Sequence, residues 1–265
     1  MKLRELISYA NYQLWLFAGL GALLWLFAPG AGRGPPRAVY EWAVAVDPGF
    51  ALGQRVLGDL DEGQHRDVEA LDHYRAARAA EPFDHSACMG QGRVAQRLGH
   101  ADEALDAFRC VTEHDPANAE AHGRLAALLQ RKGEVKPAAD EFRRALALDP
   151  EDDQARLGLG VNLAMSGRLE EATPLLETAA SHRPNDPDAT FNLGLLYRRQ
   201  GKVSGALGLF QKTIELDPHR TPAWANLVEL ELTNGGAEQA REHLKQWLAL
   251  EPQNPAAQRL ANQLP

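Results

Sequence analysis

Pro48, Pro82, Pro116, Pro150, Pro184, Pro218 and Pro252 each follow an acidic or basic residue, and every interval between neighbours is 34 residues. A fixed period of this size marks an array of stacked supersecondary units, because each unit buries its apolar face only against its neighbours. The residue before a proline is steered out of helical geometry, so each proline closes a helix.

Other positions keep the same ruler. Ala70, Ala104, Ala138, Ala172, Ala206 and Ala240 put a small residue at one place in the helix before each proline. The facing place on the preceding helix is also small, with Gly58, Gly92, Gly160 and Gly194, and departs to Ala126 and Val228. One residue earlier stand Leu57, Gln91, Leu125, Leu159, Leu193 and Leu227. Tyr74, Phe108, Phe142, Leu176, Phe210 and Leu244 supply a large wedge, so small and large alternate as a packed core requires. Gly99, Gly133, Gly167, Gly201 and Gly235 fall between the two helices, where a left-handed helix-ending residue is wanted, and His65 replaces glycine in the first repeat.

On these residues the chain resembles the tetratricopeptide-repeat (TPR) family over residues 51–254, as six full repeats. The resemblance implies an all-α, right-handed superhelical solenoid of helix-turn-helix repeats. Departures are mild: Trp224 alone keeps the family's tryptophan, and Pro137 and Pro174 lie in or near the first turn of second helices, where proline is best tolerated. Residues 31–50 read as a linker and a half-repeat, with Tyr40 and Ala43 in the wedge and packing places. Residues 255–265 read as a short closing helix covering the last apolar surface.

Residues 1–30 carry a different signal. Leu14 to Ala28 has no polar residue and is apolar on every face, and counted from Leu6 the segment is long enough to span a bilayer core. Trp15, Trp25, Tyr9 and Tyr12 suit the two interfaces, and Pro29, Gly30, Gly32, Gly34, Pro35 and Pro36 end the helix. This segment reads as an uncleaved N-terminal transmembrane anchor, with a cleaved signal peptide as the rival, since Lys2 and Arg4 precede the run and Ala28-Pro29-Gly30 is a tolerable cleavage site. Positive charges flank the run on both sides and hardly decide orientation; the behaviour of N-terminal signal anchors favours a single-pass protein of a bacterial inner membrane with periplasmic repeats.

A formal charge of −8 argues against nucleic acid, which needs a basic surface. The family resemblance implies a protein or peptide ligand in a concave groove lined by the first helix of each repeat. Carried across, the groove places fall on Arg55 and Asp59, then Met89, Arg93 and Arg97, then Gln130 and Arg131. Further along they fall on Leu157, Val161 and Met165, on Phe191, Asn192, Leu195, Arg198 and Arg199, and on Asn226 and Glu229. A partly basic groove with an apolar middle is expected, with Asn192 and Asn226 placed to hydrogen-bond the backbone of an extended ligand. The lysine and asparagine combination of the chaperone-tail clamp is missing.

Candidate chemistry is thin. No phosphate loop, nucleophile elbow or zinc-protease helix occurs, no carboxylate pair is marked out for acid-base work, and no cofactor is implied, so the chain reads as no enzyme. Cys88 and Cys110 lie at ends of one hairpin that antiparallel packing brings together, with His85 and His114 nearby. They read as two small buried thiols and two surface histidines; a metal or redox site, or a disulfide outside the cytosol, is the alternative. The leading function is a membrane-anchored protein-interaction scaffold, an assembly factor or accessory subunit of an envelope or membrane complex. A self-associating structural homo-oligomer and a metal or redox role through Cys88 and Cys110 are the rivals.

Overall fold

The computed structural model describes residues 37–263. The expected anchor over residues 1–30 and the start of the linker lie outside them, as do the last two residues. Among the described residues no helix is long and apolar enough to cross a membrane.

The described residues form helices and turns alone. A lone helix, α1 (Arg37–Val46), precedes six hairpins: α2 (Ala51–Glu62) with α3 (Asp67–Ala80), α4 (His85–Arg97) with α5 (Ala101–His114), and α6 (Ala119–Arg131) with α7 (Val135–Leu148). The series continues as α8 (Asp153–Met165) with α9 (Leu169–His182), α10 (Pro187–Arg199) with α11 (Val203–Leu216), and α12 (Thr221–Thr233) with α13 (Ala237–Leu250), and closes on α14 (Pro255–Ala261). The chain divides into two compact units, the first ending at Ala121 and the second beginning at His122, within α6.

The proline rule acts as its sterics require. Glu81, Asp115, Asp149, Arg183, Asp217 and Glu251, each directly before a proline, have ψ between 64° and 92° and stand just past the last helical residue. Two residues beyond the proline, Asp84, Asp152, Asp186 and Asn254 accept hydrogen bonds from the first backbone N–H groups of α4, α8, α10 and α14. Each such cap contributes about 1 kcal/mol, and Phe50 and Arg220, at the equivalent places, provide none. Pro174 is the sixth residue of α9, one turn deeper than the position proline favours.

In the first unit the Tyr74 ring is fully buried between two helices, where a methyl group on Gly58 would lie 2.8 Å and one on Gly90 only 2.3 Å from it. Both positions therefore have to be glycine for the ring to fit. The half-repeat is fastened by charge: Arg37 Nη1 donates to Asp61 Oδ1 at 2.6 Å, and the buried Asp61 carboxylate is also met by Arg66 and lies 3.5 Å from His73 Nε2. In the second unit Phe142, Leu176, Phe210 and Leu244 are the buried wedges, and Trp224 and Trp247 stack with centroids 6.2 Å apart. Gly99, Gly133, Gly167, Gly201 and Gly235 have φ between +72° and +81°, and His65 adopts φ +57° in the same turn.

Candidate functional site

The first helices of the repeats carry the expected groove residues, and the two units treat them differently. In the first unit Arg93 Nη2 donates to Glu62 Oε2 at 2.7 Å, while Arg97 donates to Glu62 Oε1 at 3.0 Å and to Asp67 Oδ1 at 2.8 Å. Arg55 lies 3.2 Å from Asp84 and 3.5 Å from Asp59. The Tyr74 hydroxyl is 2.8 Å from Asp59 Oδ1 and 2.9 Å from Glu62 Oε2, donating its proton to one of them. Burial alone would push the Glu62 carboxyl up, but hydrogen bonds from Arg93, Arg97 and Tyr74 outweigh it and hold the group at about 2. Each arginine is consequently neutralised, and the basic character expected at Arg55, Arg93 and Arg97 is cancelled. Met89 is buried in α4 instead of lining an open surface.

In the second unit the same helix faces enclose two contiguous concavities of about 360 Å³ each. One is lined by Gln130, Arg131, Leu157, Val161, Met165 and Asn192 among others; its neighbour shares Val161, Met165 and Asn192 and continues to Leu195, Arg198, Arg199 and Asn226. The first helices of four successive repeats thus bring Arg131, Leu157, Met165, Asn192, Arg198 and Asn226 to one surface. Met165, at the end of α8, is 54% exposed although it is a large apolar side chain. Water solvates such a surface at a cost, which an apolar ligand group would relieve.

The polar rim is sorted by its own hydrogen bonds. Asn226 Nδ2 donates to Pro222 O at 2.8 Å, and its Oδ1 accepts from Arg198, which also lies 3.3 Å from Glu229. Asn226 therefore holds Arg198 in place within the chain. Asn192 Nδ2 donates to Asp188 O at 2.8 Å, and among the described residues its Oδ1 has no partner. Arg199 Nη1 donates to Ala164 O at 2.6 Å and meets no carboxylate, and the exposed Arg131 has no ion-pair partner among the described residues. Asp188, the carboxylate on this surface, is already paired with Arg220 at 2.6 Å.

Phe191 belongs elsewhere. Its ring packs against Phe210 with centroids 5.9 Å apart and under the Arg220 guanidinium at 4.7 Å, so it is a core residue of α10 and α11. The groove period had placed it correctly along the helix, but its size carried it inward. Missing from the sequence reading were the acids that neutralise the first unit, Glu62, Asp67 and Asp84. A signal existed, because Glu62 and Asp67 precede their arginines by 31 and 30 residues, a little under one repeat.

Cys88 and Cys110 form a disulfide joining α4 to α5, with Cα atoms 6.2 Å apart. The reading of two free thiols is overturned: the start of one helix and the end of its antiparallel partner come within bonding reach. With both sulfurs bonded to each other, neither is a thiolate ligand, and no group of three metal-ligating side chains occurs among the described residues. His114 is occupied separately, with Nδ1 2.9 Å from Cys110 O and its ring stacked on Phe83.

Tetratricopeptide repeat models match residues 89–153, 128–175 and 157–221, and a second model of the same description matches 197–264. Comparison with curated protein sequences gives no match. Among solved structures, the chain is similar to YrrB, described as a TPR protein with an unusual peptide-binding site, at 24% identity, covering 71% of this chain and 97% of that one with a TM-score of 0.62. PilW, described as a widely conserved type IV pilus biogenesis factor, aligns at 21% identity over 80% of this chain and 98% of its own, with a TM-score of 0.68. MamA from Desulfovibrio magneticus RS-1 aligns at 23% identity over 64% of this chain and 97% of its own, with a TM-score of 0.59. At these identities the likeness is one of fold.

Proposed function

Because the chain belongs to the tetratricopeptide-repeat family, we propose that it is a membrane-anchored, non-enzymatic protein-interaction scaffold, an assembly factor or accessory subunit of an envelope complex, whose ligand surface is the groove of the second unit. The observation that carries this reading is the exposed Met165 side chain, with the partly exposed Val161 and Leu195 beside it, rimmed by Arg131 and Arg199 without acidic partners. An unspent apolar surface beside oriented polar groups is what a binding site requires and what a purely structural repeat would cover.

Two further observations favour an envelope setting. The apolar run from Leu14 to Ala28 supports an anchor, and the Cys88–Cys110 disulfide suits an oxidising compartment, since cytosolic thiols are kept reduced. The fold likeness to a pilus biogenesis factor and to a peptide-binding TPR protein agrees with an assembly role.

The test is site-specific photo-crosslinking in the intact membrane. A photoreactive residue at Met165 of the full chain is expected to give a discrete protein adduct, and one at the exposed Lys212 on α11 is not. Equal labelling from both positions, or none from Met165, refutes the groove as the ligand surface. Reporter enzymes fused after Pro265 decide the membrane side independently: a periplasmic signal is expected, and a cytoplasmic one overturns the orientation.

A further inference from the structure

The groove reading leaves the chemistry of the occupant open, and the charges on the rim narrow it. Resting on that reading, we infer that the second unit takes an extended polypeptide segment in which an aliphatic or methionine side chain is flanked on both sides by carboxylates. Three features of the groove carry this.

The apolar contact lies in the middle. Val161 and Met165 line both concavities, Leu157 extends the apolar floor on one side, and Leu195 extends it on the other. A strand presents alternate side chains to one face, so a single apolar residue can point into this floor while its neighbours face the rim.

The uncompensated positive charges stand on either side of that middle. Arg131, at the end of α6, lines the concavity on one side of Met165; Arg199, at the end of α10, lines the one on the other. Arg198, which stands beside Arg199, is held by Asn226 and Glu229, and Arg220 by Asp188, so the acids on this surface are spent on other arginines. A guanidinium with open donors in a shallow apolar concavity selects carboxylates, which it binds bidentately through charge-assisted hydrogen bonds. A lysine-rich segment would meet like charge twice.

The contrast with the first unit removes the alternative that arginines in this place are a mere habit of the repeat. There Glu62 takes two arginines and Asp67 shares one of them. The acids of the first unit do within the chain what the ligand's acids would do in the second. Asn192 Oδ1, without a partner among the described residues, stands between the two arginines' concavities as an acceptor for a backbone N–H of the segment. A nucleic acid is disfavoured by the chain's charge of −8.

The experiment uses the full chain in detergent and a display library of randomised ten-residue peptides, with the Met165→Glu variant as the counter-selection. Peptides enriched on the wild type over Met165→Glu are expected to carry an aliphatic or methionine residue with Asp or Glu within three residues on both sides. A labelled consensus peptide should bind at least tenfold more tightly than its Asn and Gln counterpart, and more weakly as salt is raised. The Arg131→Glu, Arg199→Glu double variant, both positions being exposed, should lose that tenfold and prefer the lysine counterpart instead. Enriched peptides that depend on Met165 but show no acidic preference, or whose binding ignores the arginine reversal, overturn the inference and leave the groove standing. If nothing is enriched over Met165→Glu, the groove reading itself falls and the inference with it.

Discussion

Asn162 on α8 is 0% exposed, and neither its Nδ2 nor its Oδ1 has a hydrogen-bond partner. The same place in the repeat holds Val94, Leu128, Leu196 and Leu230, all buried. An unpartnered buried amide costs about 1–3 kcal/mol, and leucine has nearly the same reach without the polar atoms. Asn162→Leu should therefore stabilise the second unit by about 2 kcal/mol, the gain being limited by whatever repacking the branched end requires. Trp224 and Trp247 are both in this unit, so in a full chain with Trp15, Trp25 and Trp42 replaced by phenylalanine their fluorescence in urea reports its unfolding. With an m-value of about 2 kcal/mol/M, the midpoint of that transition should rise by about 1 M. The reciprocal change, Leu128→Asn, should lower it, because it creates the same orphaned amide one repeat earlier. A midpoint that falls or stays still in Asn162→Leu refutes the assignment of Asn162 as an unpaid polar burial.

Glu62 gives a pH prediction with a definite sign. Its carboxyl is held at about 2, below an unfolded value near the ordinary 4.5, so its contribution is complete above 4.5 and disappears as pH falls toward 2. Hydrogen exchange of α2 to α5 should show protection decreasing over that window, and Glu62→Gln should flatten the limb while lowering protection at neutral pH. Reducing the Cys88–Cys110 bond, which closes a separation of 22 residues, should destabilise the first unit by about 3 kcal/mol; urea titration with and without reductant measures it, and an unchanged transition would remove the bond from the account. His65→Gly relieves a left-handed residue at φ +57° and should raise stability by about 1 kcal/mol, less if the freer unfolded chain offsets it; thermal melting of the variant decides.

Much of the fold was legible in one dimension. The spacing of Pro48 to Pro252 fixed where second helices end, since a proline acts on the residue directly before it and needs no tertiary partner. The left-handed turns at Gly99 through Gly235 are equally local, and the alternation of small and large residues recurs in the sequence with the repeat itself.

What only the tertiary structure decided is which side chains are used up. Periodicity placed Arg93, Arg97, Arg131 and Arg199 on one kind of helix face, and periodicity alone did not tell them apart. Packing adjacent helices side by side set Glu62 and Asp67 against the first two and left the last two without acids, because a side-chain pair forms or fails on the lateral register of two helices about one repeat apart. Phe191 went inward and Met165 stayed out for the same reason: the volume available behind a helix is a property of its neighbours. The joining of Cys88 to Cys110 likewise depended on how closely two antiparallel helix ends approach, a distance that no spacing in the chain records.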